Sequence, residues 1–220
     1  MKAFNLIRLL FVSALGVTSV SLLSCNGILD SIYDNVDSTI SGEYGFIKVD
    51  ESNNSGRIYI DATKYTNWIY IDFHDKSIDS LDITTSKDEP SVWDLAVHRY
   101  DAKTNSGSVV ETNLTDFSQL SGYSINENDF VKDVPSKVII DMSGMMDGNI
   151  LYSESNVNMV LSKWLNVDKS SMPPVYTLSE KVYLVKFSDG TIAAVKLSDF
   201  MNKSLVKGYM TIDYVYPLDL

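Results

Sequence analysis

The sequence predicts an all-β fold: mostly antiparallel strands joined as hairpins, with at most one or two short helices. Three observations lead there. Apolar residues recur with period two in several short runs, the pattern of a strand with one face buried. Short Gly-, Asn- and Asp-containing segments separate those runs. Thirteen Tyr, eight Phe and three Trp supply aromatic side chains, which favour strands.

In chain order, Asn26 to Ser55 is rich in Asp, Ser, Asn and Gly and reads as a tether, with one strand candidate at Tyr44–Val49. In Arg57-Ile-Tyr-Ile-Asp61 the isoleucines face one way and the tyrosine the other. Trp68–Phe73 is the next strand candidate. In Val92–Tyr100 the alternation places Trp93, Leu95 and Val97 on one face, with Asp94, Ala96, His98 and Tyr100 on the other. Val138–Ile140 and Asn149–Tyr152 flank Asp147-Gly148, a type I′ hairpin signal. Val157, Val160, Leu161 and Trp164 have helical spacing and mark one short helix. Lys181–Phe187 and Thr191–Leu197 flank Ser188-Asp-Gly190, a hairpin by its turn chemistry. Asp199–Lys207 reads as a loop or short helix, and Tyr209–Tyr216 closes the domain as a strand before Pro217. Asp79–Ile83 reads as a solvated turn, without the ligand spacing of a calcium loop.

The N-terminal residues predict export. Lys2 and Arg8 precede an uncharged apolar run from Leu9 to Leu23, too short to span a bilayer comfortably. The run ends in Leu22-Leu-Ser-Cys25, the pattern of a bacterial lipoprotein signal whose cysteine becomes the acylated first residue. The expected organisation is a signal over 1–24, a lipidated Cys25 with an acidic tether over 25–56, and a folded domain over 57–220. With one cysteine, an internal disulfide is excluded. The net charge of −11 argues against nucleic acid, whose phosphates need Lys and Arg partners.

No catalytic set stands out. Nucleophile elbow, phosphate loop and Cys/His zinc spacing are all missing, so the expectation is a protein that is not an enzyme. Of the two histidines, His98 reads as a hydrogen-bonded structural residue and His74 as solvent-exposed. The methionines are more informative. Asp141-Met-Ser-Gly-Met-Met-Asp-Gly-Asn149 places three thioethers beside a turn. Met142 continues the alternation of Val138 and Ile140 and reads as core, whereas Met145 and Met146 sit where core contacts run out. Met172, in Ser170-Ser-Met-Pro-Pro174, projects from a loop that proline stiffens. Packing alone accounts for such residues, and so does a soft ligand set for copper(I) or haem iron. A glycan- or protein-binding surface presenting Tyr and Trp fits the composition too.

Five separated pieces narrow the choice. They are Ile58-Tyr-Ile-Asp-Ala-Thr-Lys-Tyr65 with Trp68, then Trp93-Asp-Leu-Ala-Val-His-Arg-Tyr-Asp101 with Thr104, Asn105 and Gly107. Pro174-Val-Tyr-Thr-Leu-Ser179, Val182-Tyr-Leu-Val-Lys-Phe187, and Asp189-Gly190 with the Tyr-rich end at Asp213–Pro217 follow in order. Across residues 57–217 the chain resembles the HmuY family of haem-binding lipoproteins of Bacteroidota. The resemblance implies loop fingers that form a haem pocket. Their ligands come from the loop after the Val138–Ile140 strand and the loop before Tyr176-Thr-Leu178. Both loops lack histidine here, so the resemblance implies a methionine-ligating member, with Met145 and Met172 on the iron of haem b and Met146 as the adjacent candidate for the first position. It further implies host haemoproteins as the source and a TonB-dependent outer-membrane haem transporter as recipient, and methionine ligation, which raises the haem potential, leads to an expected preference for ferrous haem. The expected location is the outer membrane at the cell surface, anchored through Cys25, with release as a further fate.

Overall fold

The computed structural model describes residues 44–86 and 88–219. Cys25 and the segment 1–24 expected to be a signal lie outside these. The strands run in chain order as β1 (Gly45–Asp50), β2 (Ser55–Asp61), β3 (Asn67–Asp72), β4 (Ser77–Asp82), β5 (Leu95–His98), β6 (Asp101–Thr104), β7 (Ser108–Glu111) and β8 (Val131–Lys132). Then come β9 (Val134–Gly144), β10 (Asn149–Val157), β11 (Leu165–Asp168), β12 (Val175–Leu178), β13 (Tyr183–Lys186), β14 (Ile192–Met201) and β15 (Lys207–Val215). Helical geometry among the described residues is confined to 3₁₀ turns of three or four residues.

Seven strands form one sheet in the order β1-β2-β15-β14-β13-β7-β8, and four form a second, β4-β3-β5-β6, with every neighbour antiparallel. The remaining four strands make two hairpins, β9–β10 and β11–β12. The strand expected at 44–49 is β1, which pairs with β2 at the sheet edge.

The predicted alternation explains how the sheets meet. Ile58 and Ile60 of β2 join Ile69 and Ile71 of β3, Leu95 and Val97 of β5, and Tyr183 and Val185 of β13 in one buried core. Tyr59 points the other way and stacks with Tyr44 and Tyr209 at 5.4 and 6.2 Å. Burying aliphatic side chains from both sheets contributes about 1.5–3 kcal/mol each, which makes this core the main source of stability.

The C-terminal hairpin forms as expected. β13 pairs with β14, Gly190 takes the left-handed φ of +91° its turn requires, and the Asp189 carboxylate accepts from Thr191 N at 2.9 Å. Three local expectations differ. β14 continues to Met201, so only residues 202–206 connect it to β15. Asp79 belongs to the edge strand β4 rather than to a turn. The helix expected over 157–165 shrinks to a 3₁₀ turn at Leu161–Trp164. Asn158 caps the start of this segment, its side-chain oxygen accepting from Val160 N and Leu161 N, and the space between the end of β10 at Val157 and the start of β11 at Leu165 leaves room for one short turn. Trp93 also departs from the expected face. β5 begins only at Leu95, and Trp93 packs with Tyr70 on the outer side of the four-stranded sheet.

His74 is exposed, as the sequence reading expected, and its ring is also clamped. Its Nδ1 lies 3.0 Å from Asp94 Oδ2 and its Nε2 3.0 Å from Asp189 Oδ2, joining the β3–β4 turn to the β13–β14 turn. Asp72, His74 and Asp94 bring potential metal-ligand atoms together, but both ring nitrogens already face carboxylates. Partial burial opposes the charged ring, yet the bonds to Asp189 and Asp94 outweigh it and raise the histidine above its ordinary 6.5. At Asp94 burial dominates and raises the carboxyl, whereas hydrogen bonds, Thr191 first, hold exposed Asp189 low. A raised histidine stabilises fully below its unfolded value and loses that contribution as pH rises through its folded value. His74→Ala is therefore expected to lower Tm at about pH 5.5 and to have a smaller effect at about pH 9. Thermal melts at the two pH values check this, and an equal loss at both contradicts it.

Candidate functional site

The two hairpins project as fingers, and the base of the first is built with care. Val134 and Val157 form its last register pair. Immediately outside that pair, Asn158 Nδ2 donates to Asp133 Oδ1 at 2.9 Å and to Val131 O at 3.0 Å. Asp133 also accepts from Thr104 N at 2.6 Å and Thr104 Oγ1 at 3.1 Å, and Asn158 N donates to Ala102 O at 2.7 Å. The clasp thus ties both legs of the finger to β6. Burial raises the Asp133 carboxyl, working against the hydrogen bonds that lower it. Above the clasp, Val138 and Val157 pack on Trp68, Tyr70 and Trp93 of the main body.

The tip of the first finger is a 3₁₀ turn, Met145–Asp147, entered from Gly144 and left through Gly148 at φ +77°. Gly148 N donates to Met145 O at 3.1 Å. The expected two-residue type I′ turn is replaced by this longer one, with Asn149 paired to Gly144. The turn keeps its left-handed glycine and sends Met145 and Met146 in different directions.

In the second finger β11 pairs with β12 from Leu165↔Leu178 to Asp168↔Val175, leaving Lys169 to Pro174 as its tip. Asp168 Oδ1 accepts from Ser170 N at 2.8 Å, and Ser171 Oγ donates to Pro173 O at 3.1 Å. These local bonds hold the loop without using Met172.

A cavity of about 570 Å³ opens between the fingers, within the usual size of a small-ligand site. The first finger contributes Ile139, Met142, Met145, Ile150 and Tyr152. The second contributes Val167, Lys169, Met172, Pro174 and Tyr176. The floor comes from Tyr65 and the β5–β6 turn, His98 to Asp101. Arg99 holds that floor in shape from a left-handed φ of +53°. Its Nη1 donates to Thr63 O at 2.6 Å and its Nη2 to Tyr100 Oη at 3.0 Å, and the guanidinium lies 4.4 Å from the Tyr65 ring centre. Gly208 makes room for it, since a Cβ there would stand 2.7 Å from Arg99 Nη1. Burial is the main reason the Tyr100 hydroxyl is shifted upward and stays protonated.

The structure brings Met145 and Met172 to this one cavity from opposite fingers. Their side chains remain reachable, at 39% and 78% exposure. Met146 is 89% exposed and does not line the cavity. Met142 is a third lining thioether and only half-buried, rather than the core residue expected from alternation. His98 is buried, with Nε2–H donating to Tyr65 O at 2.6 Å and its ring against Trp68, as its structural reading anticipated. Sequence reasoning missed Asp133, Asn158 and Arg99. Only Arg99 had a signal available, as part of the His98-Arg-Tyr100 motif. A second cleft of about 450 Å³ lies beside Glu89, Trp93 and Lys103 and contains no methionine.

Fold and cavity together define a clamp: an all-β body carrying two hairpin fingers whose tips converge over an apolar pocket. The HmuY protein family model matches residues 64–214. Among solved structures, a Bacteroides vulgatus protein described as HmuY-like and haem-binding is 59% identical. That match covers 81% of this chain and 100% of the other, with a TM-score of 0.77. A protein from Bacteroides fragilis described as a lipoprotein is 46% identical over 82% of this chain and 99% of its own, also at 0.77. An apo HmuY analogue from Tannerella forsythia is 27% identical over 73% and 94%, at 0.62. No curated protein matches the chain. The chain belongs to the HmuY family.

Asn158→Ala would remove one hydrogen bond from Asp133 Oδ1, one from Val131 O and the side-chain acceptor of the Val160 and Leu161 N–H groups in one change. It is expected to destabilise the protein by about 3 kcal/mol. Urea unfolding measures this, and a loss under about 0.5 kcal/mol, the range of an ordinary surface substitution, contradicts the clasp.

Proposed function

We propose that this protein captures haem between its two fingers, where the Met145 and Met172 sulfurs would hold the iron, and hands it on without chemical change. The observation that carries the proposal is the convergence of these two thioethers, from separate hairpins, on one apolar cavity. Thioether sulfur is a soft donor suited to haem iron, and methionine ligation raises the haem potential, which favours the ferrous state. Haem b in its ferrous form is therefore the expected cargo. The relative from Bacteroides vulgatus, described as haem-binding, supports the same reading.

The exposed tips suit transfer. A cargo held by loop side chains leaves without disturbing the buried core, so a host haemoprotein on one side and a TonB-dependent outer-membrane transporter on the other are the proposed exchange partners. Anchoring through an acylated Cys25 would keep the clamp at the outer membrane surface. The alternative of a glycan platform built on tryptophan loses its support, because Trp68, Trp93 and Trp164 are all buried.

An absorption titration with one equivalent of haem, with and without dithionite, tests the proposal. Binding is expected to be tighter after reduction, and absence of a Soret change in either state at micromolar protein refutes it. Met172→Ala is expected to abolish or greatly weaken ferrous binding. Met145→Ala should act in the same direction, while Met146→Ala leaves the spectrum unchanged. If Met146→Ala proves the damaging one, the assignment moves by one residue.

Thioethers do not titrate near neutrality, whereas a histidine pair protonates in mild acid. Ferrous haem affinity is therefore expected to stay within about threefold between pH 7.5 and about pH 5.5. A loss of tenfold or more over that interval would contradict thioether ligation.

A further inference from the structure

We infer that Met145 and Met172 are sulfoxidation sites, and that their oxidation by peroxide switches the cavity from a soft-donor clamp to one that no longer holds ferrous haem. The inference rests on the ligand assignment above and adds a modification to it. Three features of the molecule converge on it.

The first is exposure. Met172 and Met145 stand at 78% and 39%, whereas Met210 is fully shielded in the core. Oxidant dissolved in water therefore reaches the fingertips before it reaches the body. The second is the lack of competing sulfur. The chain's only cysteine is Cys25, so the folded body from 44 to 219 contains no thiol to take the oxidant first. The third is an unequal placement of the exposed sulfurs. Met146 and Met159 are also open, at 89% and 46%, but neither lines the cavity. They are oxidisable in the same way without consequence for the site and serve as internal controls.

The chemistry balances simply. One peroxide oxygen passes to the thioether; the O–O bond breaks, an S–O bond forms, and the remaining oxygen leaves as water. Sulfur gives up two electrons and peroxide accepts them. The product is a polar, chiral sulfoxide. Its exposed donor is a hard oxygen in place of a soft sulfur, which suits ferrous haem poorly. It also sets a strong dipole against Ile139, Ile150 and Val167, which line the same cavity. Methionine sulfoxide reductases, one for each epimer, return the sulfur to the thioether with two electrons and two protons from a dithiol, which becomes a disulfide while the oxygen leaves as water, so the change is reversible.

The test uses apo-protein treated with hydrogen peroxide and freed of it before any haem is added. Peptide mass spectrometry maps the sulfoxides, and dithionite-reduced haem is titrated into treated, untreated and reductase-repaired samples. Sulfoxide is expected at Met172, Met145 and Met146 before Met210, with ferrous affinity falling at least about tenfold and returning on repair. The loss should persist in Met146→Leu/Met159→Leu protein, and Met172→Gln, a polar side chain of similar length, should mimic it without oxidant. If protein fully oxidised at Met145 and Met172 binds ferrous haem like the untreated sample, the inference fails while the ligand reading stands. A loss that disappears in the double leucine variant overturns it as well. If untreated protein does not bind ferrous haem, the ligand reading has failed first, and the inference with it.

Discussion

The clasp between Asp133 and Asn158 is the constraint on which the site depends. A long two-stranded hairpin has little stability of its own in water, and β9–β10 belongs to neither main sheet. Its geometry has to be imposed at the base. Asn158 imposes it with four side-chain hydrogen bonds, two given to Val131 O and Asp133 and two accepted from Val160 N and Leu161 N. Because Asn158 is fully buried, each of those bonds is costly to leave unmade, and the network tolerates only one arrangement. The same residue ends the finger and shapes the turn that leads to Trp164 and β11. One amide side chain therefore sets the origin of both fingers.

The outer hydrophobic cluster completes the attachment. The four-stranded sheet has two buried faces. Ile69, Ile71, Leu95 and Val97 meet the seven-stranded sheet, while Trp68, Tyr70 and Ala96 meet the finger. Lys103 sits under this second layer with its ammonium 4.3 Å from the Trp68 ring centre and paired to Glu89 at 2.5 Å. Burial lowers its pKa while Glu89 opposes that shift. The aromatic rings and the carboxylate together offset the cost of taking the charge out of water. A buried cation at this position fixes how Trp68 and Tyr70 present themselves to Val138 and Val157.

Local pattern was reliable where one face of a strand is buried and the partner strand is close in sequence. Ile58 and Ile60 alternating with Tyr59, and Ser188-Asp-Gly190 between two apolar runs, were legible for that reason. It misled at Trp93, which precedes the strand whose alternation it seemed to begin. It misled again over 157–165, where strands end at Val157 and begin at Leu165 and leave only a short turn capped by Asn158 between them. At the first fingertip, Asp147-Gly148 correctly marked the left-handed glycine, but the turn around it is longer than two residues.

By itself the sequence determined the all-β class, the hairpin at 188–190, the lack of a recognisable catalytic motif, and the two loops in which methionines stand beside turn residues. Those features depend on periodicity, turn chemistry and residue type, which act over a few residues. Only the tertiary structure decided that Met145 and Met172 face one cavity while Met146, adjacent in sequence, faces solvent, and that Met142 lines the cavity as well. Those outcomes depend on the clasp at Asn158 and the packing of the first finger on Trp68 and Tyr70. These contacts join residues far apart in the chain, and no local pattern carries them.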